Sequence, residues 1–193
     1  MNLYNKYVTK EEKIGNLFAN NLLDSQYIKN NSKKITDIDG KINGNLIELQ
    51  ELNYQAAIDK RSVIVDVISA FYFRGNRRSS ITLNDKDIDI KKFGKVFTLP
   101  KDSTYLIYFK SDQYYNPDYI FDVEGTKFIA LKASELYRFF IQNNQRVLVN
   151  NKRKYNLSDT YESAFSFCDI DDLISYGVLM DRNQLQSLMR DQG

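Results

Sequence analysis

The chain has 193 residues, of which 42% are apolar and 13% aromatic, a composition that excludes general disorder and supports one domain with a sizeable core. It contains no histidine, which excludes histidine acid–base catalysis, imidazole-based zinc sites and every catalytic triad that uses histidine. The net charge of +2 is too small to indicate nucleic-acid binding by itself.

The first third of the chain predicts a helix followed by two strands. In "TKEEKIGNLFANNLLDSQYI", Thr9 and Glu12 have the spacing of a capping box and apolar residues recur at helical intervals, so a helix is expected over 9–25. "KKITDIDG" and "GNLIELQELN" predict two strands around the turn "GKINGN". The next segment, residues 53–75, fits either a strand at "SVIVDV" or a largely apolar helix, and the helix is favoured.

The rest of the chain mixes both element types. "STYLIYFKSD" predicts a buried strand, and "DYIFDVEGTKFIALKA" predicts a hairpin that turns at Glu124-Gly125. Ser134 is a candidate N-cap for the helix "SELYRFFIQNN", and Asp169 or Asp171 for the helix "DIDDLISYGVLM". The fold class is therefore α/β or mixed α+β, with a central mixed sheet flanked by helices. We expect a single domain, with a core over about 9–145 and a C-terminal helical extension over about 156–193.

Cysteine usage and hydropathy indicate the compartment. Cys168 lies in the apolar segment "SAFSFCDI", which is typical of a buried structural thiol, and a lone cysteine cannot form an internal disulfide. No charged-then-apolar signal pattern and no apolar run of membrane-spanning length is present. These patterns favour a soluble cytoplasmic protein without membrane association.

The segment "DIDGKINGNLIELQ", residues 37–50, carries the clearest candidate site. Glu48 and Gln50 share one face of the predicted strand, and the hairpin would bring Asp39 or Asp37 alongside Glu48. Converging carboxylates repel unless a cation lies between them, and Mg²⁺ (or Mn²⁺) prefers such oxygen ligands. The alternative interpretation is the solvent-exposed face of an ordinary antiparallel hairpin.

This pattern resembles the PD-(D/E)XK nuclease superfamily, which includes many restriction endonucleases. In that family an acidic residue near one strand end is followed by a hairpin and then by Glu/Asp-x-Lys. Asp39 and Glu48 match the two acidic positions, Gln50 stands where the lysine usually is, and the nominal proline is missing. An acidic residue on the first helix is common in the family, and Glu12 or Glu11 would match it. The resemblance covers about the first third of the chain and implies an αβββαβ core, with residues 104–110 as the later strand.

A second segment, "NPDYIFDVEGTKFIALKA", is a weaker match to the same signature. Asp118 follows Pro117, as the signature requires, but Ala130 stands where an acidic residue should precede Lys132 by two positions. The first segment is therefore the better candidate.

The function that the resemblance implies is a Mg²⁺-dependent DNA endonuclease of restriction type that hydrolyses phosphodiester bonds. Asp39 and Glu48 would bind the metal, Gln50 would orient the attacking water, and Asp37 and Glu12 would assist as metal ligands. Cleavage of a two-fold symmetric duplex site would favour a homodimer. The alternative is a non-catalytic protein of phage or plasmid type that binds a protein partner or nucleic acid.

Two basic clusters are candidates for contact with the DNA backbone. Each also fits an ordinary solvated loop in a lysine-rich chain. The first cluster lies in "FRGNRRSS" and the second in "NNKRKYN", and their members are Arg74, Arg77, Arg78, Lys152, Arg153 and Lys154.

Overall fold

The computed structural model describes residues 3–30, 39–51, 62–66, 87–88, 104–110, 117–154 and 160–189. The chain divides into two compact units. The first unit consists of Met1–Asn53, Ser103–Lys132 and Leu179–Gly193, and the second of Tyr54–Asp102 and Ala133–Val178. The fold is a mixed α+β structure with a six-stranded mixed sheet and helices.

Within the described residues, the first unit contains this six-stranded sheet and two helices. In chain order its elements are α1 (Leu3–Leu22), β1 (Tyr27–Lys29), β2 (Gly40–Ile42), β3 (Asn45–Glu51), β6 (Thr104–Lys110), β7 (Phe121–Val123), β8 (Thr126–Lys132) and α4 (Arg182–Leu188). The strand order is β1-β2-β3-β6-β8-β7. All neighbours are antiparallel except β3 and β6, which run parallel, so the connection between them must cross over.

Helix α1 packs its apolar stripe on one face of this sheet. Phe18 and Leu22 are buried, and Ile14 and Leu17 are partly buried against the same cluster. From the sheet the cluster receives side chains at alternate strand positions, as a half-covered pleated strand requires. These residues are Tyr27, Ile42, Ile47, Leu49, Tyr105, Ile107, Phe109, Phe121, Val123, Phe128 and Ala130.

The second unit contains a four-stranded antiparallel sheet of order β4-β10-β9-β5. Its elements are β4 (Ser62–Asp66), β5 (Asp87–Ile88), α2 (Ala133–Gln142), β9 (Val147–Lys154), β10 (Thr160–Asp169) and α3 (Ile170–Ser175). Residues 62–66 thus form a strand, not the helix that was favoured there, because the β-branched run packs into a sheet. Residues 160–169 are likewise a strand, within the segment expected to be a helical extension.

The predictions for the cap of α3 and for the β7–β8 turn are confirmed, and the predicted N-cap of α2 is wrong. Asp169 caps α3 by accepting the backbone N–H of Asp172 at 3.1 Å. Glu124 and Gly125 form the turn of the β7–β8 hairpin. Helix α2 begins at Ala133, one residue before the predicted cap, so Ser134 is a buried residue of the helix itself.

Candidate functional site

The β2–β3 hairpin provides the frame of the candidate site. Asn43 and Gly44 have φ of 52° and 81°, the positive values that a tight two-residue hairpin turn requires. The side chain of Asn43 accepts a hydrogen bond from Ser25 Oγ and donates one to the carbonyl of Met189 at 2.8 Å. The turn is therefore tied to two other segments of the first unit, and the register that pairs Gly40 with Ile47 is fixed.

Asp39 lies at the open end of this hairpin, immediately before β2. Its Oδ2 accepts the backbone N–H of Leu49 at 2.8 Å, and its carbonyl accepts the N–H of Asn30 at 2.8 Å. The carboxylate thus accepts a hydrogen bond from a backbone N–H of β3 that lies just beyond the last residue pair of β2 and β3. Asp39 is held in place from β3 on one side and from the end of β1 on the other.

Glu11 of α1 meets Asp39 at this point. The carboxyl group of Asp39 lies close enough to that of Glu11 to act on its pKa, and the hydroxyl of Tyr27 donates to Glu11 Oε1 at 3.4 Å. Burial, followed by the charge of Asp39 and the hydrogen bond to it, raises the pKa of Glu11 from 4.5 to about 8. A hydrogen bond between two carboxyl groups needs a proton on one of them, which agrees with the direction of this shift in the pKa of Glu11.

The ring of Tyr27 fills the space between α1 and β2. A Cβ placed on Gly15 of α1 would lie 2.5 Å from the ring, and one on Gly40 of β2 would also lie 2.5 Å from it. Both positions therefore require glycine for close approach. The backbone N–H of Tyr27 donates to Asn16 Oδ1 at 3.1 Å, which fixes the strand against the helix. Burial and the neighbouring charge of Glu11 raise the pKa of the Tyr27 hydroxyl, which stays protonated and donates.

Glu48 and Gln50 occupy the other face of β3. Ile47 and Leu49 pack into the cluster under α1, so the alternate positions point away from that helix. Both polar side chains are half-buried, and the parallel register aligns them with Leu106 and Tyr108 of β6. The register also places Glu48 level with Asp39, but the carboxylate of Asp39 is directed to Leu49 N and to Glu11.

The remaining predicted residues are an exposed residue of α1, residues of the second unit and residues outside the described part of the chain. Glu12 is exposed on α1, although its charge contributes to the raised pKa of Tyr27. Asp37, Arg74, Arg77 and Arg78 lie outside the described residues. Lys152, Arg153 and Lys154 belong to β9 of the second unit, where only the backbone is described. Cys168 is fully buried, and burial raises the pKa of its thiol to about 12, which fits a structural residue.

The donor set of the Glu11–Asp39 pair suits a hard divalent cation. Within the part of the chain that the structure describes, no group of three or more acidic, cysteine or histidine side chains is arranged to hold a metal ion. Mg²⁺, however, is commonly held by one or two carboxylates, with water and substrate phosphate completing its shell. Glu11 and Asp39 are two neighbouring carboxyl groups of this donor type, and that of Asp39 is held by the backbone N–H of Leu49.

The sequence indicated Glu11 only as the alternative to Glu12 for the helix residue of the site and did not indicate Tyr27 at all. The helical period indicates Glu11, because this residue lies four positions before Gly15 and seven before Phe18, on the buried stripe. Tyr27 shows no comparable pattern, since its role depends on two glycines from different elements.

No protein-family model, curated protein or solved structure matches this chain. None of the described helices combines the length and the apolar character that crossing a membrane requires.

Proposed function

We propose that the protein is a divalent-metal-dependent endonuclease that hydrolyses phosphodiester bonds in DNA, with Asp39 and Glu11 as the residues that hold Mg²⁺ (or Mn²⁺). The observation that carries the proposal is that Asp39, held by the N–H of Leu49 at the open end of the β2–β3 hairpin, lies close enough to Glu11 of α1 to raise the pKa of its carboxyl group. Like charges brought this close are favourable only with a proton or a cation between them.

The order of elements supports the same proposal. A helix is followed by three antiparallel strands, β1 to β3, and β6 then pairs in parallel with β3. The described elements agree with the αβββ part and the final strand of the αβββαβ core that the PD-(D/E)XK resemblance implies, with Asp39 immediately before the second strand and a further acidic residue on the first helix. The proposal therefore assigns to Glu11 the helix position for which Glu12 was the first choice.

The residues of the chain have distinct tasks in this proposal. Asp39 presents a carboxylate that Leu49 N–H keeps in one orientation, and Glu11 brings the second carboxylate from the helix. The hydroxyl of Tyr27 orients Glu11. When bound, the cation would neutralise phosphate charge and lower the pKa of a water molecule. The sequence-based roles of Glu48 as ligand and Gln50 as water-orienting residue would require access from the opposite face of β3.

The decisive experiment compares isosteric variants of neighbouring acidic residues. Plasmid DNA is incubated with Mg²⁺ or Mn²⁺, and Mn²⁺ affinity is measured by calorimetry, for the wild type, Glu11→Gln, Asp39→Asn, Glu48→Gln and Glu12→Gln. We expect Glu11→Gln and Asp39→Asn to lose cleavage and about tenfold or more in metal affinity. Glu12→Gln, with the same chemical change one residue further along α1, is the matched control and should resemble the wild type.

The other outcomes are equally informative. If Glu48→Gln loses metal affinity while Glu11→Gln keeps it, the metal lies on the opposite face of β3. A wild type that cleaves no nucleic acid and binds no Mn²⁺ would overturn the proposal in favour of a non-catalytic binding protein.

A further inference from the structure

A positively charged side chain near the Glu11–Asp39 pair is provided by β1, the strand that precedes Asp39 in the chain. The PD-(D/E)XK signature places a lysine two residues after its second acid, but Gln50 stands there and lies on the face of β3 away from α1. Lys10 of α1 is already engaged, since its Nζ lies 3.2 Å from both carboxylate oxygens of Glu51. Lys29 of β1, by contrast, forms no salt bridge within the described part of the chain.

The backbone register places Lys29 beside the pair. Lys29 aligns with Gly40, the residue that follows Asp39, and the next residue, Asn30, donates its N–H to the carbonyl of Asp39. Because side chains alternate along a strand, Lys29 shares the face of Tyr27, whose hydroxyl contacts Glu11. Gly40, which is paired with Lys29, has no side chain that could stand between Lys29 and the Glu11–Asp39 pair.

Burial and charge agree with that position. Lys29 is half-buried, whereas its neighbour Ile28, on the other face, is 68% exposed. The positive charge of Lys29 lies close enough to Glu11 to lower the pKa of that carboxyl, against the larger effects that raise it. Lys41, which aligns with Ile28, is exposed on the opposite face of the same strand pair.

We propose that Lys29 is the phosphate-binding residue of this site, where its ammonium contacts a non-bridging oxygen of the phosphodiester beside the Glu11–Asp39 pair. The inference rests on the proposed function and extends it to a substrate contact. Lysine acts on phosphate as a compact point charge on a flexible stem, so a half-buried strand position that lets the ammonium reach the site is sufficient. Lys29 thereby supplies the positive charge that Gln50 cannot.

The experiment separates substrate contact from folding and from metal binding. Binding of a labelled short DNA duplex is measured by fluorescence anisotropy in EDTA over a range of salt concentrations. Lys29→Met keeps the aliphatic stem and removes the charge, Lys41→Met makes the same change on the opposite face, and Lys29→Arg restores a cation. We expect Lys29→Met to bind several-fold more weakly and its salt slope to fall by about one unit, with Lys41→Met unchanged. Lys29→Arg should recover most of the affinity.

Metal affinity provides the second measurement. Removing a cation from beside two carboxyl groups should leave the Mn²⁺ affinity of Lys29→Met equal to that of the wild type or higher. A loss of Mn²⁺ affinity in Lys29→Met would instead indicate a structural role and overturn the assignment. If the two Met variants bind DNA equally well while the wild type binds it with a steep salt dependence, Lys29 is not the phosphate contact and the proposed function stands. A wild type that binds neither Mn²⁺ nor DNA overturns both proposals.

Discussion

Two hairpins of the six-stranded sheet have the same turn but carry their acidic residues in opposite environments. The β2–β3 hairpin turns at Asn43-Gly44 with φ of 52° and 81°, and the β7–β8 hairpin turns at Glu124-Gly125 with φ of 52° and 86°. Both turns place glycine second, as the positive φ at that position favours. The backbone alone therefore does not distinguish a candidate site from an ordinary hairpin.

The partners of the acidic residues make the difference. Asp122 of β7 aligns with Lys127 of β8, whose Nζ lies 2.8 Å from Asp122 Oδ2, and Gly125 N–H donates to Oδ1 at 2.9 Å. The hydrogen bond from Lys127 in particular holds the pKa of Asp122 below its usual value. Asp39 instead meets a second carboxyl group, that of Glu11 from α1. An acidic hairpin is thus a solvated face or a candidate metal site according to what a third element brings to it.

The test with the largest expected effect concerns steric packing around the two hairpins. Gly40→Ala should destabilise the protein by about 3 kcal/mol, because the new Cβ would lie 2.5 Å from the ring of Tyr27 and 2.6 Å from the carbonyl oxygen of Ile28. Gly125→Ala in the other hairpin has open space around the new Cβ and should cost only about 1 kcal/mol, from the positive φ. Urea denaturation at one pH measures both variants.

Equal stability of the two alanine variants would contradict the close packing of Tyr27 between α1 and β2. Gly15→Ala provides an independent check from the helix side, because its Cβ would also lie 2.5 Å from the ring. The loss of stability in Gly15→Ala should resemble that in Gly40→Ala and exceed that in Gly125→Ala.

The second test concerns pH. The pKa of Glu11 is raised from 4.5 to about 8, so its contribution to stability is fully present below about pH 4.5 and is lost as the pH rises through about 8. Glu11→Gln removes the titrating carboxyl group, so this variant should not lose stability as the pH rises. We expect the difference in unfolding free energy between wild type and variant to change by roughly 1–2 kcal/mol across this range, allowing for solvent screening of a partly exposed group.

Urea denaturation at about pH 5, 7 and 9 measures the effect, with Glu12→Gln as the matched control that should follow the wild type. A wild type whose stability relative to Glu11→Gln does not fall between pH 5 and 9 would show that the two carboxyl groups do not share a proton.

Local patterns predicted much of the fold of the first unit. The apolar residues at helical intervals predicted α1, whose Ile14, Leu17 and Phe18 pack on the sheet, and Asn43-Gly44 lies within the predicted turn. These features depend on residues close in sequence, where period and turn chemistry are informative. The strand at 62–66 was missed because a short β-branched apolar run has no period that distinguishes a buried strand from a buried helix.

The candidate site was less predictable because it depends on contacts between distant segments. The sequence indicated Asp39 and an acidic residue on the first helix, but the choice between Glu11 and Glu12 depended on which face of α1 packs on the sheet. The faces of β3 were decided in the same way, since Ile47 and Leu49 pack under α1 and leave Glu48 and Gln50 on the other side. Lys29 is level with Gly40 only because a short strand pairs in one particular register.

The smallest expected effect, and the one of opposite sign, belongs to Asp122. Its lowered pKa means that its contribution to stability is present above the usual carboxyl pKa and is lost as the pH falls through the lowered value. Asp122→Asn should therefore be slightly less stable than the wild type at neutral pH and should match it in acid, whereas the effect of Glu11 appears toward alkaline pH. Because the ion pair of Asp122 with Lys127 lies at the surface, we expect only a small shift of the denaturation midpoint, further reduced by salt. Asp122→Asn should also leave Mn²⁺ affinity unchanged. Mn²⁺ binding that weakens in Asp122→Asn as much as in Asp39→Asn would show that the two hairpins are not distinct in the way their contacts indicate.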